Sequence, residues 1–306
     1  MRSETNGLDQ ENPRQVGLEK GGLQKLFKKY RWLKSLYRNK GVWIGGIIVL
    51  LVLIMAVFAP LLTPLDPMRL DPMNRIKPPM QGHLFGTDSM GRDVFSMVIY
   101  GSRISLEVGM SVMVFTGLAG ILMGLISGYY KILDNIIMRL NDGMMAVPSI
   151  ILAIALMSVL GPRVSNIVIA LSLVYTPRMA RIIRGSVLSA KELAYVEAAR
   201  ALGTRDALIV LRHILPNCVA PMIIQGTFIF AISVLAEASL SFLGVGAPPT
   251  IPSWGNVVSE GRLLMLEAPW ISLFPGFAIL LFVMGLNLLG DGLRDSLDPK
   301  TQGMHR

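Results

Sequence analysis

Charged residues are scarce in this chain. Only 16% of its 306 residues are charged, whereas 52% are hydrophobic and the mean hydropathy is +0.55. Soluble domains carry about a quarter charged residues, so this deficit indicates a protein that resides in a membrane. A chain of this length holds about six membrane spans with modest loops, which leaves little room for a separate soluble catalytic domain.

Cysteine and histidine are also rare, and common catalytic motifs are missing. Cys218 is the single cysteine, so it cannot form an internal disulfide and is predicted to pack as a small hydrophobic residue. His83, His213 and His305 lie far apart, which argues against a metal site or a catalytic triad. The sequence contains no Gly-x-x-x-x-Gly-Lys-Ser/Thr phosphate loop, Gly-x-Ser-x-Gly elbow or His-Glu-x-x-His pair. We therefore expect no catalytic residue, no metal site and no cofactor in this chain.

Long apolar runs predict an all-α integral membrane protein with six transmembrane helices. The first three predicted spans cover residues 42–62, 104–130 and 141–160. The fourth covers 164–177 and ends among the arginines at 178–184, and the last two cover 217–243 and 268–290. Glycines at 120, 124 and 128 predict close helix packing in the second span. The predicted segments are a basic cytoplasmic segment at 1–41, the first span at 42–62, an external proline-rich loop at 63–102, a core of five spans at 103–291 with a cytoplasmic loop at 186–216, and a cytoplasmic tail at 292–306.

The distribution of lysine and arginine predicts the orientation. The formal net charge is +9, and 22 of the 29 basic residues lie in the N-terminal segment, the turn after the second span, the region 178–212 and the tail. Because basic residues accumulate on the cytoplasmic side of a membrane, both termini and the loop at 186–216 are predicted to be cytoplasmic. The basic residues are concentrated on one side of the membrane and do not form a face that would read a nucleic-acid groove. We therefore expect contact with membrane lipid and no nucleic-acid partner.

The most informative stretch lies at residues 197–216, between two apolar runs. Small or apolar residues recur at steps of three and four from 187 to 202, which predicts one helical face; they are Val187, Ala190, Ala194, Ala198 and Ala201. Gly203 is predicted to end this helix in a left-handed conformation, and Thr204 to cap a second helix with Asp206 in its first turn. A narrow alanine face suits docking into a groove on another protein. The alternative is a helical connector that only joins two spans.

Glu237 is a carboxylate near the outer end of an otherwise apolar span. Such groups are costly in a membrane, so Glu237 is a candidate for lining a translocation path. Alternatively, water or a partner satisfies it at the end of the span. Gln225 and Asn217 are milder candidates in the same helix, since such residues also form interhelical hydrogen bonds.

The stretch at 197–216 resembles the membrane subunits of binding-protein-dependent ATP-binding-cassette (ABC) importers. Their signature is Glu-Ala-Ala, three residues, Gly, and then Ile-x-Leu-Pro near the following span. Glu197-Ala198-Ala199, Gly203 and Leu215-Pro216 match it, whereas His213 stands at the position of the isoleucine. The local His-Ile-Leu-Pro-Asn, the segment 86–96 and the segment 287–299 are similar to the dipeptide, oligopeptide and nickel branch, in its C-type permease.

This resemblance implies a type I ABC importer permease in a bacterial inner membrane. It implies a heterodimer with a homologous permease, two cytoplasmic ATPase subunits that bind ATP and magnesium, and a substrate-binding protein outside. The implied ATPase-coupling residues are Ala194, Glu197, Ala198, Ala199, Ala201, Gly203, Leu215 and Pro216. The external loop motif of the branch matches at Gly86, Asp88, Gly91, Arg92 and Asp93.

Import of di- or oligopeptides is therefore the leading hypothesis, with import of nickel or glutathione as alternatives within the same branch. A hypothesis from a different class is an ion-coupled secondary transporter that uses Glu237. A third is a membrane-bound assembly or sensor subunit that transports nothing.

Overall fold

The computed structural model describes Tyr37 and residues 39–297, and the predictions for the basic segment before them and the tail beyond them lie outside the described residues. The described chain is helical, with isolated β-bridges in the proline-rich loop between the first two long helices. The helices are α1 (Lys40–Val57), α2 (Ala59–Leu62), α3 (Val94–Tyr129), α4 (Lys131–Ala146), α5 (Ser149–Leu160), α6 (Val164–Ala190), α7 (Ala194–Ala201), α8 (Asp206–Ile209), α9 (Leu215–Phe242), α10 (Trp254–Gly261) and α11 (Trp270–Leu297). Short 3-10 turns lie at Pro72–Asn74 and Arg262–Leu264, and a π-helical segment at Val210–Ile214 joins α8 to α9.

The predicted all-helical membrane fold is confirmed. Within the described residues, five stretches are long and apolar enough to cross a membrane, namely α1, α3, α6, the run from α8 through α9, and α11. The pair α4 and α5 makes a sixth crossing if it counts as one span, but its two helices meet at 91°. A continuous third span through Pro148 is therefore wrong, because the proline forces Val147 into extended backbone (φ −91°, ψ 133°).

Two further helix bounds differ from the prediction. α3 begins at Val94, inside the segment predicted as loop, because the Asp93 carboxylate caps it by accepting from the backbone N–H of Ser96 at 2.8 Å. α6 continues past Pro177 to Ala190. Pro177 removes one helix hydrogen bond, and packing against α3 holds the helix on both sides of it.

α3 lies at the centre of the bundle and packs against α1, α4, α6, α9, α10 and α11. The predicted glycine packing is confirmed on the α6 side. A Cβ at Gly124 would lie 2.7 Å from the Cβ of Ile183, and one at Gly128 would lie 2.6 Å from the Cβ of Val187. The lack of side chains therefore lets the two backbones approach closely. Cys218 is 1% exposed within the same hydrophobic core, as its sequence context predicts.

Candidate functional site

The loop with the Glu-Ala-Ala signature contains a separate short helix. α6 ends at Ala190, and α7 begins at Ala194 after extended backbone at Leu193 (φ −75°, ψ 135°). One continuous helical face from Val187 to Ala201 is therefore wrong. Val187 and Ala190 are buried in the core of the bundle, because they belong to the span and not to the loop.

The alanine face of α7 is open. Ala194, Ala198 and Ala201 are exposed, as is Glu197 in the first turn, and Ala199 is half-buried. Val196 is the one buried side chain of this helix. α7 thus rests on the bundle through Val196 and the half-buried Ala199, and it presents Ala194, Ala198 and Ala201 outward. Such a surface fits a groove on another protein, because alanines permit close backbone approach.

α7 ends as the sequence predicts, but α8 begins differently. Gly203 has φ +75°; its N–H donates to the carbonyl of Arg200 at 3.0 Å, and that of Thr204 donates to the carbonyl of Ala199 at 3.1 Å. These two bonds form a Schellman motif, so the left-handed glycine is confirmed. Thr204 as the cap of α8 is wrong. The N-cap is Arg205, and no side chain caps the start of α8 with a hydrogen bond.

One side of α7 is tied to the start of α9. The side-chain Nδ2 of Asn217 donates to the hydroxyl of Tyr195 at 2.9 Å and to the backbone carbonyl of His213 at 2.6 Å. The rings of Tyr195 and His213 lie 6.1 Å apart. Asn217, predicted as a candidate for the path, is exposed and fastens the loop in this structure.

The other side of the loop is tied to the end of α3. The Tyr129 hydroxyl donates to the Asp206 carboxylate at 2.5 Å, across 77 residues of sequence. The Arg200 guanidinium lies over the Tyr129 ring, 5.9 Å from its centre. Sequence reasoning missed Tyr129 and Tyr195, because no local pattern marks a residue whose partner is remote in the chain.

The last part of the signature leads from the loop into the span. Leu215 is half-buried, and Pro216 is exposed in the first turn of α9. The π-helical segment Val210–Ile214 connects α8 to α9, so α8 and the span form one nearly continuous helical run.

The motif at 86–93 in the proline-rich loop builds a buried charged cluster at the opposite end of α3. Arg92 donates from Nε to the Asp88 carboxylate at 2.5 Å and from its terminal nitrogen to the Glu260 carboxylate of α10. Arg92 and Asp88 are 3% and 1% exposed. Burial raises the pKa of Glu260, against the opposing effect of Arg92. Burial alone would lower the pKa of Arg92, but its two carboxylates outweigh it and raise that pKa.

The remaining motif residues shape the backbone of the cap that this loop forms at the Val94 end of α3. Gly86 and Gly91 have φ of +76° and +78°, which favours glycine. A Cβ at Gly91 would lie 1.8 Å from the carbonyl oxygen of Asp71, so no other residue fits. Asp93 caps α3 and also pairs with His83 at 2.9 Å. The motif therefore joins the Val94 end of α3 to the proline-rich loop and to α10.

Glu237 lies inside the chain and is satisfied by it. Its side chain is fully buried in α9, and the hydroxyls of Ser105 and Ser241 donate to its carboxylate at 3.0 and 2.9 Å. Two serines of the chain thus satisfy this carboxylate in this structure, and whether Glu237 lines a translocation path stays a prediction. In this conformation Glu237 joins α3 to α9. Gln225 is also buried in α9, at 7% exposure, and its role in a path stays a prediction.

The replacement Glu237→Gln is expected to keep the protein folded and to change transport by no more than about twofold. The amide oxygen still accepts from one serine hydroxyl, and the amide NH2 group donates to the oxygen of the other, which can act as an acceptor. An ion-coupled transporter that used this carboxylate would lose uptake entirely. The measurement is uptake by reconstituted vesicles. Glu237→Leu serves as the contrasting variant, since it leaves Ser105 without its acceptor and is expected to lower the yield of folded protein.

Comparison with known proteins places these features in a family. The family model described as binding-protein-dependent transport system inner membrane component matches residues 118–303, and the N-terminal TM domain of oligopeptide transport permease C matches residues 30–79. A peptide transport system permease of Brucella abortus is 46% identical over 267 residues, covering 87% of this chain and 90% of its own. The dipeptide transport system permease DppC of Alkalihalophilus pseudofirmus is 44% identical, covering 87% and 88%. The glutathione transport system permease GsiD of Pectobacterium atrosepticum is 41% identical, covering 88% and 90%. The chain therefore belongs to the family of inner-membrane permease components of binding-protein-dependent transport systems.

Proposed function

We propose that this chain is a permease subunit of an ATP-driven importer of di- and oligopeptides, and that it forms half of the translocation path. The observation that carries the proposal is the open alanine face of α7, which follows one long span and precedes another. The peptide substrate is supported by relatives named for peptide and dipeptide transport.

Energy for transport would come from other subunits. The sequence has no phosphate loop, so ATP and magnesium would be bound by two separate ATPase subunits. We assign their docking to Ala194, Glu197, Ala198, Ala199 and Ala201, with Gly203 setting the turn and Leu215-Pro216 the entry to α9. Closure of the ATPases would pull on α7 and move the spans as rigid bodies between inward-open and outward-open states.

The proposed orientation places both termini and α7 in the cytoplasm. It is supported by the excess of lysine and arginine on that side of the chain. The external cap with Arg92 and Glu260 would then face the substrate-binding protein. A second, homologous permease would cover the other half of the path, and lipid the remaining apolar surface.

The test is uptake by proteoliposomes that contain the full chain with its second permease, both ATPases and the binding protein. Labelled dialanine and pentaalanine are the first probes, with glutathione as a second candidate because a relative at 41% identity is named for it. We expect uptake that requires both internal ATP and the binding protein. Uptake driven by a proton gradient without ATP would contradict the proposal, and so would vesicles that accumulate no probe while the ATPases hydrolyse ATP normally.

A further inference from the structure

The inner end of α3 meets the loop through three polar contacts. The Tyr129 hydroxyl donates to Asp206 of α8 at 2.5 Å, and Arg200 of α7 lies over the Tyr129 ring. Lys191, between α6 and α7, donates to the carbonyl of Gly128 at 3.3 Å. The last turn of α3 is thus held by both short helices of the loop and by the segment that leads into them.

The hydroxyl–carboxylate contact is the strongest of these connections. A hydrogen bond to an ionised carboxylate is shorter and stronger than one between neutral groups. It also joins two helix ends directly, since Tyr129 is the final residue of α3 and Asp206 is the first residue of α8. A displacement of α7 and α8 therefore reaches α3 through two side chains.

α3 is suited to pass such a displacement onward. It contains 36 residues, which at 1.5 Å per residue is about 54 Å, longer than a bilayer core of about 30 Å. Its outer end is capped by Asp93 next to the cluster of Arg92, Asp88 and Glu260. One helix thus connects the loop at one end of the molecule with the external cap at the other, and it contacts the other spans on the way.

We propose that Tyr129 and Asp206 are positioning residues that transmit movement of the α7–α8 loop to α3, and through α3 to the external cap. This rests on the proposed function, because it presumes that ATPases move α7. Neither residue belongs to the Glu-Ala-Ala signature or to the exposed alanine face. Their role is to connect the docking surface with the spans and not to bind the ATPase.

The experiment compares Tyr129→Phe with Tyr130→Phe in the reconstituted complex. Tyr130 is the next residue, is exposed and packs edge-on against Tyr129 at 5.1 Å, so its variant removes a hydroxyl from the same place without touching Asp206. The readouts are ATPase co-purification, ATP hydrolysis, and tritiated dialanine imported per ATP hydrolysed, or labelled glutathione if that is what the wild-type complex imports. We expect Tyr129→Phe to retain its ATPases and to import about three- to tenfold less per ATP, the range expected for one lost hydrogen bond to a charged group at a partly exposed site.

A double-mutant cycle makes the result specific to the pair. Asp206→Asn keeps an acceptor for the Tyr129 hydroxyl and is expected to retain more coupling than Asp206→Ala. The double variant with Tyr129→Phe and Asp206→Ala should import no less per ATP than whichever single variant imports less, because both replacements remove the same bond. Additive losses would overturn the inference.

Other outcomes separate this inference from the proposed function. Unchanged import per ATP in Tyr129→Phe, or an equal loss in Tyr130→Phe, would overturn the role of Tyr129 and leave the proposed function intact. Loss of ATPase co-purification in Tyr129→Phe alone would also overturn it, since the residue would then serve docking. If the wild-type chain itself neither retained ATPases nor imported the probe, the proposed function would fail first.

Discussion

Replacing Ala198 with tryptophan is expected to lower import by more than about a hundredfold, because the indole would fill the surface through which α7 docks. Ala198 is exposed at the middle of the alanine face, so the larger side chain fits the free subunit without strain. It does not fit a close helix-in-groove contact, where overpacking costs about 1–3 kcal/mol or more and the partner cannot approach. The measurements are ATPase co-purification and vesicle uptake.

The matched control is Ala155→Trp, on the exposed side of α5. This variant adds the same bulk to an apolar surface away from the loop, and we expect it to retain the ATPases. Both variants should reach the membrane in wild-type amounts. If Ala198→Trp bound its ATPases as tightly as the control does, the assignment of α7 as the docking helix would be wrong.

Replacing Arg92 with methionine is expected to destabilise the cap at the Val94 end of α3 by about 3–5 kcal/mol, the cost of leaving a buried charge without its partner. Asp88 is 1% exposed and would keep two backbone N–H donors, from Met90 and residue 92, at 2.8 Å, but no cation. In a chain of this size the loss corresponds to a fall in Tm of roughly 10 °C. Tryptophan fluorescence of the detergent-purified protein on heating measures it.

Arg69→Met is the control for this effect, because Arg69 lies on the same proline-rich loop and is exposed. It removes the same charge, and we expect its Tm to stay within about 2 °C of the wild type, as is usual for surface replacements. Adding Asp88→Asn and Glu260→Gln to Arg92→Met should restore part of the loss, since no buried charge then remains unpaired. Equal Tm values for the Arg92 and Arg69 variants would show that the cluster does not hold the cap together.

The two predictions concern motifs that the sequence made visible for different reasons. Glu197, Gly203 and Pro216 lie close together in the chain, so their spacing alone indicated a helix, a turn and a second helix. The external motif was recognised only as a resemblance. In the structure, the arginine of this motif is buried and shared by two carboxylates. One of them belongs to Glu260, which lies 168 residues from Arg92 in the sequence.

The sequence prediction followed hydrophobicity and so passed over three local backbone features. These are the extended Leu193 before α7, the 91° bend at Pro148 and the Asp93 cap that starts α3. Hydrophobicity alone continued the helix across the first two positions and placed the start of α3 too late. Glu237 shows a different limit, because one of its serine partners comes from α3, 132 residues away.

The sequence by itself determined that this is a helical membrane protein, which segments are long and apolar enough to span, and where the Glu-Ala-Ala turn lies. Each of these depends on the composition or spacing of neighbouring residues. Only the tertiary structure decided that α7 stands apart with its alanines exposed, that Glu237 is enclosed by serines, and that Tyr129 reaches Asp206. Those features depend on contacts between residues that are distant in the chain, and packing of the spans is what brings them together.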